Sequence, residues 1–121
     1  MNIRLIVPCN WQSPSVPSGE QTKYSRTFPD NVEYWGRTIA GITGGFTATQ
    51  GTGGWIDGHG QLIVEPVTVF DCYDPAETVS ELVRAHADDW RLLAAQIARE
   101  LNQDCVYLSI DGKVEFIQRP S

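Results

Sequence analysis

Val79, Val83, His86, Trp90, Leu93, Ile97 and Leu101 recur at steps of three and four along the chain. That spacing returns every one of them to the same side of a helix and to no common side of a strand. Glu81, Arg84, Asp88, Arg91 and Arg99 fall opposite. A helix with one apolar stripe must lay it against a second layer, so the rest of the chain has to supply that layer. Ahead of the stripe, Asp74-Pro75-Ala76-Glu77 offers an N-cap, a proline at the first helical position and a capping-box acid. The helix is expected from there to about Asn102.

The covering layer reads as strands. Ile3 to Cys9 is apolar on both faces. Residues 10–29 form a long turn-rich connection, Ser13-Pro14-Ser15-Val16-Pro17-Ser18-Gly19 included, of a length usually found in functional or mobile loops. A first helix is expected from Asp30, with Glu33 completing a capping box. Val32, Trp35, Ile39 and Ile42 form its apolar side, and Gly44-Gly45 ends it. Gly36 and Gly41 inside it imply close approach to a sheet or partner. Phe46–Asp57 and Gln61–Tyr73 read as strands joined by Gly58-His59-Gly60. Pro66 marks an edge or bulge, and Gly51, Gly53 and Gly54 imply a bend or close backbone contact. Cys105–Ile110 and Lys113–Ile117 flank Asp111-Gly112, a favoured two-residue hairpin turn. Its strict register places Lys113 opposite Ile110 and Glu115 opposite Leu108, charges on an otherwise apolar face.

The order β-α-β-β-α-β with an extra C-terminal strand predicts an α+β, ferredoxin-like two-layer sandwich with two helices on one sheet face. At 121 residues it is a single domain, 1–121. The uncovered sheet face is the natural place for a ligand or a second copy.

Gly44-Gly45-Phe46-Thr47, Gln50-Gly51-Thr52-Gly53-Gly54-Trp55 and Leu62-Ile63-Val64-Glu65-Pro66-Val67 together resemble a group of small uncharacterised bacterial and phage domains. The resemblance spans about residues 30–117. It implies the same helix, glycine-rich hairpin, helix and strand layout, and it brings no activity with it.

The formal charge of −6 is concentrated: residues 57–89 hold eight acids and one base. Such a surface repels phosphate backbones, so no direct nucleic-acid binding is expected. No segment approaches the ~18 apolar residues of a membrane span, and no signal peptide is legible, which points to the cytoplasm. Cys9, Cys72 and Cys105 are odd in number and form no CxxC, reading as buried reduced thiols rather than a metal site. No cofactor is expected: the glycines lie between strands, without the strand–loop–helix context of a phosphate cradle.

Two sets of residues carry the functional reading. Trp11 and Tyr24 in the long loop, with Trp55 and His59 on the glycine hairpin, are the candidate binding residues, because large amphipathic rings outside helices often anchor partners. They suggest a non-catalytic binding module for a protein or small molecule, self-association as a homodimer, or an acidic inhibitor from a mobile element. The alternative is a small enzyme using Asp57, His59 and Glu65 for acid–base chemistry, a carboxylate beside an imidazole being its minimal apparatus. Asp-Gly-His-Gly is equally what an exposed turn uses to bend. His86 is expected in the core, satisfied by one hydrogen bond.

Overall fold

The helical stripe meets its sheet in the computed structural model, which describes residues 1–9, 27–76 and 80–120, with backbone alone over 80–84. Strands β1 (Asn2–Pro8), β2 (Thr47–Ile56), β3 (Leu62–Tyr73), β4 (Cys105–Ile110) and β5 (Lys113–Gln118) form one sheet. Its order is β2-β3-β1-β4-β5, every neighbouring pair antiparallel. Helix α1 (Phe28–Thr43) packs on β3, and helix α2 (Ser80–Glu100) on β4 and β5. This is the expected ferredoxin-like sandwich with its added edge strand.

Alternation along the strands selects the core. Ile3, Leu5 and Val7 of β1, Phe70 of β3 and Val106 and Leu108 of β4 point to the helices. They meet Trp35 and Ile39 of α1 and Trp90, Leu93, Ala94, Ile97, Ala98 and Leu101 of α2 in one buried cluster. Each fully buried aliphatic side chain contributes about 1.5–3 kcal/mol, so the central strand and the stripe of α2 dominate stability.

Helix α1 begins earlier than expected. Thr27, not Asp30, is the N-cap: its hydroxyl accepts from the Asp30 amide at 3.3 Å, and the Asp30 carboxylate accepts from the Thr27 amide at 3.4 Å. Pro29 fits the first turn, where no amide partner is needed, and Glu33 instead pairs with Arg37 one turn on. Gly44, at φ 85°, closes the helix with its amide on the Ala40 carbonyl at 2.7 Å. The two internal glycines differ. A Cβ on Gly36 would lie 2.6 Å from the Phe46 ring, whereas one on Gly41 would meet nothing within 4 Å. Gly36→Ala is therefore expected to lower stability by about 1–3 kcal/mol, and Gly41→Ala to raise it by up to about 1 kcal/mol. Urea unfolding midpoints distinguish the two.

Asn31 ties α1 to the sheet. Fully buried, its amide donates to the Pro8 carbonyl at 3.1 Å and the Thr68 hydroxyl at 3.2 Å. At the other end of β3 stands Asp74, the expected N-cap, separated from the start of α2 at Ser80 by residues 77–79, which lie outside the described residues. Its fully buried carboxylate accepts from the Ala76 amide at 3.1 Å, but also from the Trp90 indole at 2.8 Å, and it lies 2.9 Å from Nδ1 of His86. His86 is thus bonded at the core's margin, with about a third of its side chain exposed. Glu77 and Val79 lie outside the described residues.

Pro66 stands at an edge position, as expected, where β3 has run past the last pair with β1. It pairs with Thr52 on β2, and its carbonyl accepts from the Cys9 amide at 3.0 Å on the β1 side. Nitrogen and carbonyl of one strand residue point the same way. The missing N–H therefore faces the side where β1 is ending and costs no bond to β2. In the last hairpin the strict register holds, Leu108 opposite Glu115. Its charge is met from above: Arg91 of α2 donates to the Glu115 carboxylate at 3.0–3.2 Å. Asp111 (φ 50°) and Gly112 (φ 84°) form the turn.

Candidate active site

The face away from the helices presents the other strand residues. β1 contributes Arg4, Ile6 and Pro8; β2 Gly51, Gly53 and Trp55; β3 Glu65, Val67 and Asp71; β4 Cys105, Tyr107 and Ser109; and β5 Phe116. A cavity of about 560 Å³ lies there, bounded by Trp55, Glu65, Val67, Tyr107 and Phe116 and by the 102–105 turn. The glycines of β2 make room for it. A Cβ on Gly53 would sit 3.0 Å from Val67 and one on Gly51 3.4 Å from the same side chain. The close contact expected of these glycines is thus with the neighbouring strand.

Glu65 is the chemical centre of this cavity. It stands opposite Gly53, just beyond the last β1–β3 pair, Pro8 with Val67. No side chain on Gly53 can solvate it, and among the described residues one carboxylate oxygen is buried without a hydrogen-bond partner. Burial pushes its pKa up to about 7. A carboxyl whose proton is held more tightly in the folded state than in the unfolded one loses stability as pH rises from the ordinary carboxylate range through 7. Glu65→Gln is therefore expected to be more stable than the parent at pH 8 and indistinguishable from it near pH 4, by thermal denaturation at the two pH values. Of the surrounding rings, Tyr107 and Phe116 meet edge to face at a centroid distance of 5.9 Å, and Trp55 is 40% and Phe116 65% exposed. A partly buried carboxyl with an unpartnered oxygen ionises more readily beside a positive charge.

Of the expected site residues, Trp55 and Glu65 meet in this cavity. Asp57 and His59 do not line it. The Asp57 carboxylate accepts from the amides of His59 at 2.8 Å and Gln61 at 2.9 Å, and Gly60 takes φ 79°. These residues form the exposed hairpin turn, so the trio Asp57, His59 and Glu65 does not assemble into one acid–base site. Trp11 and Tyr24 lie outside the described residues. Cys105 is exposed at the cavity's rim and Cys72 only partly buried, which corrects the reading of all three thiols as buried; only Cys9 is. Tyr107 and Phe116 were missed by sequence reasoning. Their signal was parity: each alternates with the apolar helix-facing residues of its hairpin.

Fold and cavity together define a small α+β sandwich with an acid-centred, aromatic-walled cavity on the sheet face opposite its helices. No protein-family model and no curated protein matches the chain. Two solved structures do. A phage SAM lyase in complex with S-methyl-5′-thioadenosine aligns over 97% of this chain and 88% of that one, with TM-score 0.62 and 18% identity. A phage SAM lyase in the apo state aligns over 99% and 90%, with TM-score 0.65 and 18% identity. At that identity the likeness shows the shared fold. It also corrects the expectation of a non-catalytic binding module, the acidic inhibitor included, because these neighbours are a catalyst. No helix among the described residues is long and apolar enough to cross a membrane.

Proposed function

We propose that this protein is a lyase acting on S-adenosylmethionine, with the cavity over Glu65 as its active site. The observation that carries the reading is the Glu65 carboxylate, with one oxygen buried and unpartnered among the described residues, in a cavity walled by Trp55, Tyr107 and Phe116. S-adenosylmethionine is a sulfonium cation with a flat purine, so it brings the charge Glu65 lacks and a ring for the aromatic walls. The cavity, at about 560 Å³, is of the size that holds such a molecule. Structural neighbours that are SAM lyases, one holding S-methyl-5′-thioadenosine, add support.

The chemistry asks little of the protein. A carboxylate oxygen of the substrate's own amino-acid chain attacks the γ-carbon, and the bond from that carbon to sulfur breaks. The electron pair stays on sulfur, which becomes the neutral thioether of S-methyl-5′-thioadenosine, while the four-carbon fragment closes as a lactone. No water enters and no proton leaves. Glu65 then works as a fixed charge opposite the cation rather than as a base, and the site's part is orientation and exclusion of water.

This makes the partner a small molecule. A protein partner or a second copy would find a separate surface on the projecting β2–β3 arm, where Ile56, Leu62 and Val64 are exposed. A cytoplasmic setting agrees with the three free thiols. The test is to incubate the protein with S-adenosylmethionine in ¹⁸O-water and follow products by mass spectrometry. Formation of S-methyl-5′-thioadenosine with an unlabelled lactone is expected. No turnover, or a labelled four-carbon product from the first seconds, overturns the reading.

A further inference from the structure

Strands β2 and β5 are the two borders of the sheet, and only one of them is guarded. An unpaired strand edge invites another chain, and proteins deter this with charges or prolines along it. β5 carries Lys113 and Glu115, with Arg119 and Pro120 close behind. β2 runs for ten residues, Thr47–Ile56, without a charge or a proline. Among the described residues no strand lies along its outer side.

The groups this edge offers follow from one hydrogen bond. The Pro66 carbonyl accepts from the Cys9 amide, so Pro66 turns its backbone to the β1 side, and its neighbours Glu65 and Val67 turn theirs to β2. Their partners Gly53 and Gly51 face back toward them. By the same alternation, the N–H and C=O groups of Ala48, Gln50, Thr52, Gly54 and Ile56 point outward. An antiparallel copy of β2 centred on Thr52 matches all five. Thr52 meets its own equivalent, Gln50 meets Gly54, and Ala48 meets Ile56. Two bonds per pair make about ten, the number a standard protein interface carries. A slip of one residue sets outward groups against inward ones, and a slip of two leaves an outward residue of each copy unmatched.

We propose that β2 is a dimerisation edge: two copies pair their β2 strands antiparallel about a two-fold axis at Thr52, joining two five-stranded sheets into one of ten. The strand is its own complement, as an isologous interface requires, and that selects a second copy as the occupant. Pairing also covers part of the apolar arm, because the exposed Ile56 comes to lie beside the second copy's Ala48. Gly53 lies against the second copy's Gly51, so the two Glu65 cavities open on the same side of the joined sheet. None of this depends on the substrate.

Sedimentation velocity on the full chain at about 100 μM tests the pairing, with twice the 13.4 kDa mass of one copy expected. Thr52→Pro deletes the central outward N–H and no bond to β3, so a folded monomer is expected, its circular dichroism matching the parent. Thr52→Lys sets two like charges across the axis and is expected to be monomeric as well, which keeps the test decisive should the proline variant not fold. The register is read separately. Equivalent α-carbons at Thr52 lie about 5.5 Å apart in such a pair, within disulfide reach. Mild oxidation of Thr52→Cys is therefore expected to link the two substituted positions, seen as a joined peptide by mass spectrometry, and Thr49→Cys is expected to give no such link. A monomeric parent overturns the proposal. So does a dimer that survives Thr52→Lys, or linkage at position 49 as ready as at position 52.

Discussion

Glu65→Gln is expected to lower kcat/KM for S-adenosylmethionine by about 100-fold while affinity for S-methyl-5′-thioadenosine changes less than about twofold. The substitution keeps the shape of the side chain and removes its charge. Two unit charges about 4 Å apart attract by about 4 kcal/mol at the effective dielectric of a partly wet site. Solvent access and the desolvation of the cation offset part of that, leaving about 2–3 kcal/mol, which is the stated factor. The attraction exists for the sulfonium substrate and vanishes for the thioether product. On the proposed lyase reading Glu65 serves capture and release together: the reaction erases the charge that held the ligand in place. Most of the loss is expected in KM, because the interaction is already made in the bound substrate. Product formation followed by chromatography, beside calorimetry with the product, decides it. An equal loss of affinity for the neutral product would mean that the variant has damaged the pocket rather than its charge.

Trp90→Ala is expected to leave the protein largely unfolded at room temperature. Removing a fully buried tryptophan costs about 3–5 kcal/mol, out of a total that for small domains is about 5–15 kcal/mol. Here the loss is larger than the cavity alone, because the indole N–H donates to Asp74 at 2.8 Å. Burial by itself would raise the Asp74 carboxyl, but the hydrogen bonds from Trp90, His86 and the Ala76 amide outweigh it and hold the group below its ordinary value. Loss of one donor leaves a buried carboxylate short of a partner, at about 1–3 kcal/mol. Trp90→Phe keeps most of the ring and loses only that bond, so it should remain folded with a stability lowered by about the second amount. Circular dichroism against urea for both variants separates the two contributions. A phenylalanine variant as stable as the parent would show that the indole contributes only its hydrophobic bulk.

Strand and helix periods were enough to place the two layers, since Trp35, Ile39, Trp90, Leu93, Ile97 and Leu101 are buried where their spacing puts them. Element ends were legible where a left-handed residue is required, as at Gly44 and at Asp111-Gly112. They were not where two capping boxes competed: Thr27 with Asp30 and Asp30 with Glu33 are chemically equivalent, and only the packed structure chooses. The site was legible in halves. Trp55 and Glu65 stood out as residue types, but their association with Tyr107 and Phe116 depends on strand order, which brings β2 and β5 to opposite borders of one hollow. Asp57 and His59 drew attention because an acid beside an imidazole suggests catalysis. The hydrogen bonds that the Asp57 carboxylate accepts from the amides of its own turn show another use of the same residues, bending the chain.

Strand β3 changes company halfway along. From Val67 to Asp71 it is held between β1 and β2, whereas from Leu62 to Pro66 its only strand partner among the described residues is β2. The residues that keep the molecule folded and the one proposed to meet the ligand, Glu65, are therefore near neighbours on one strand with different strand company. On the proposed reading, substitutions at Trp55 or Glu65 re-tailor ligand preference while Thr68, Phe70 and the hydrophobic layer behind them stay untouched, which makes this end of the protein the place where new chemistry can be tried at little structural risk.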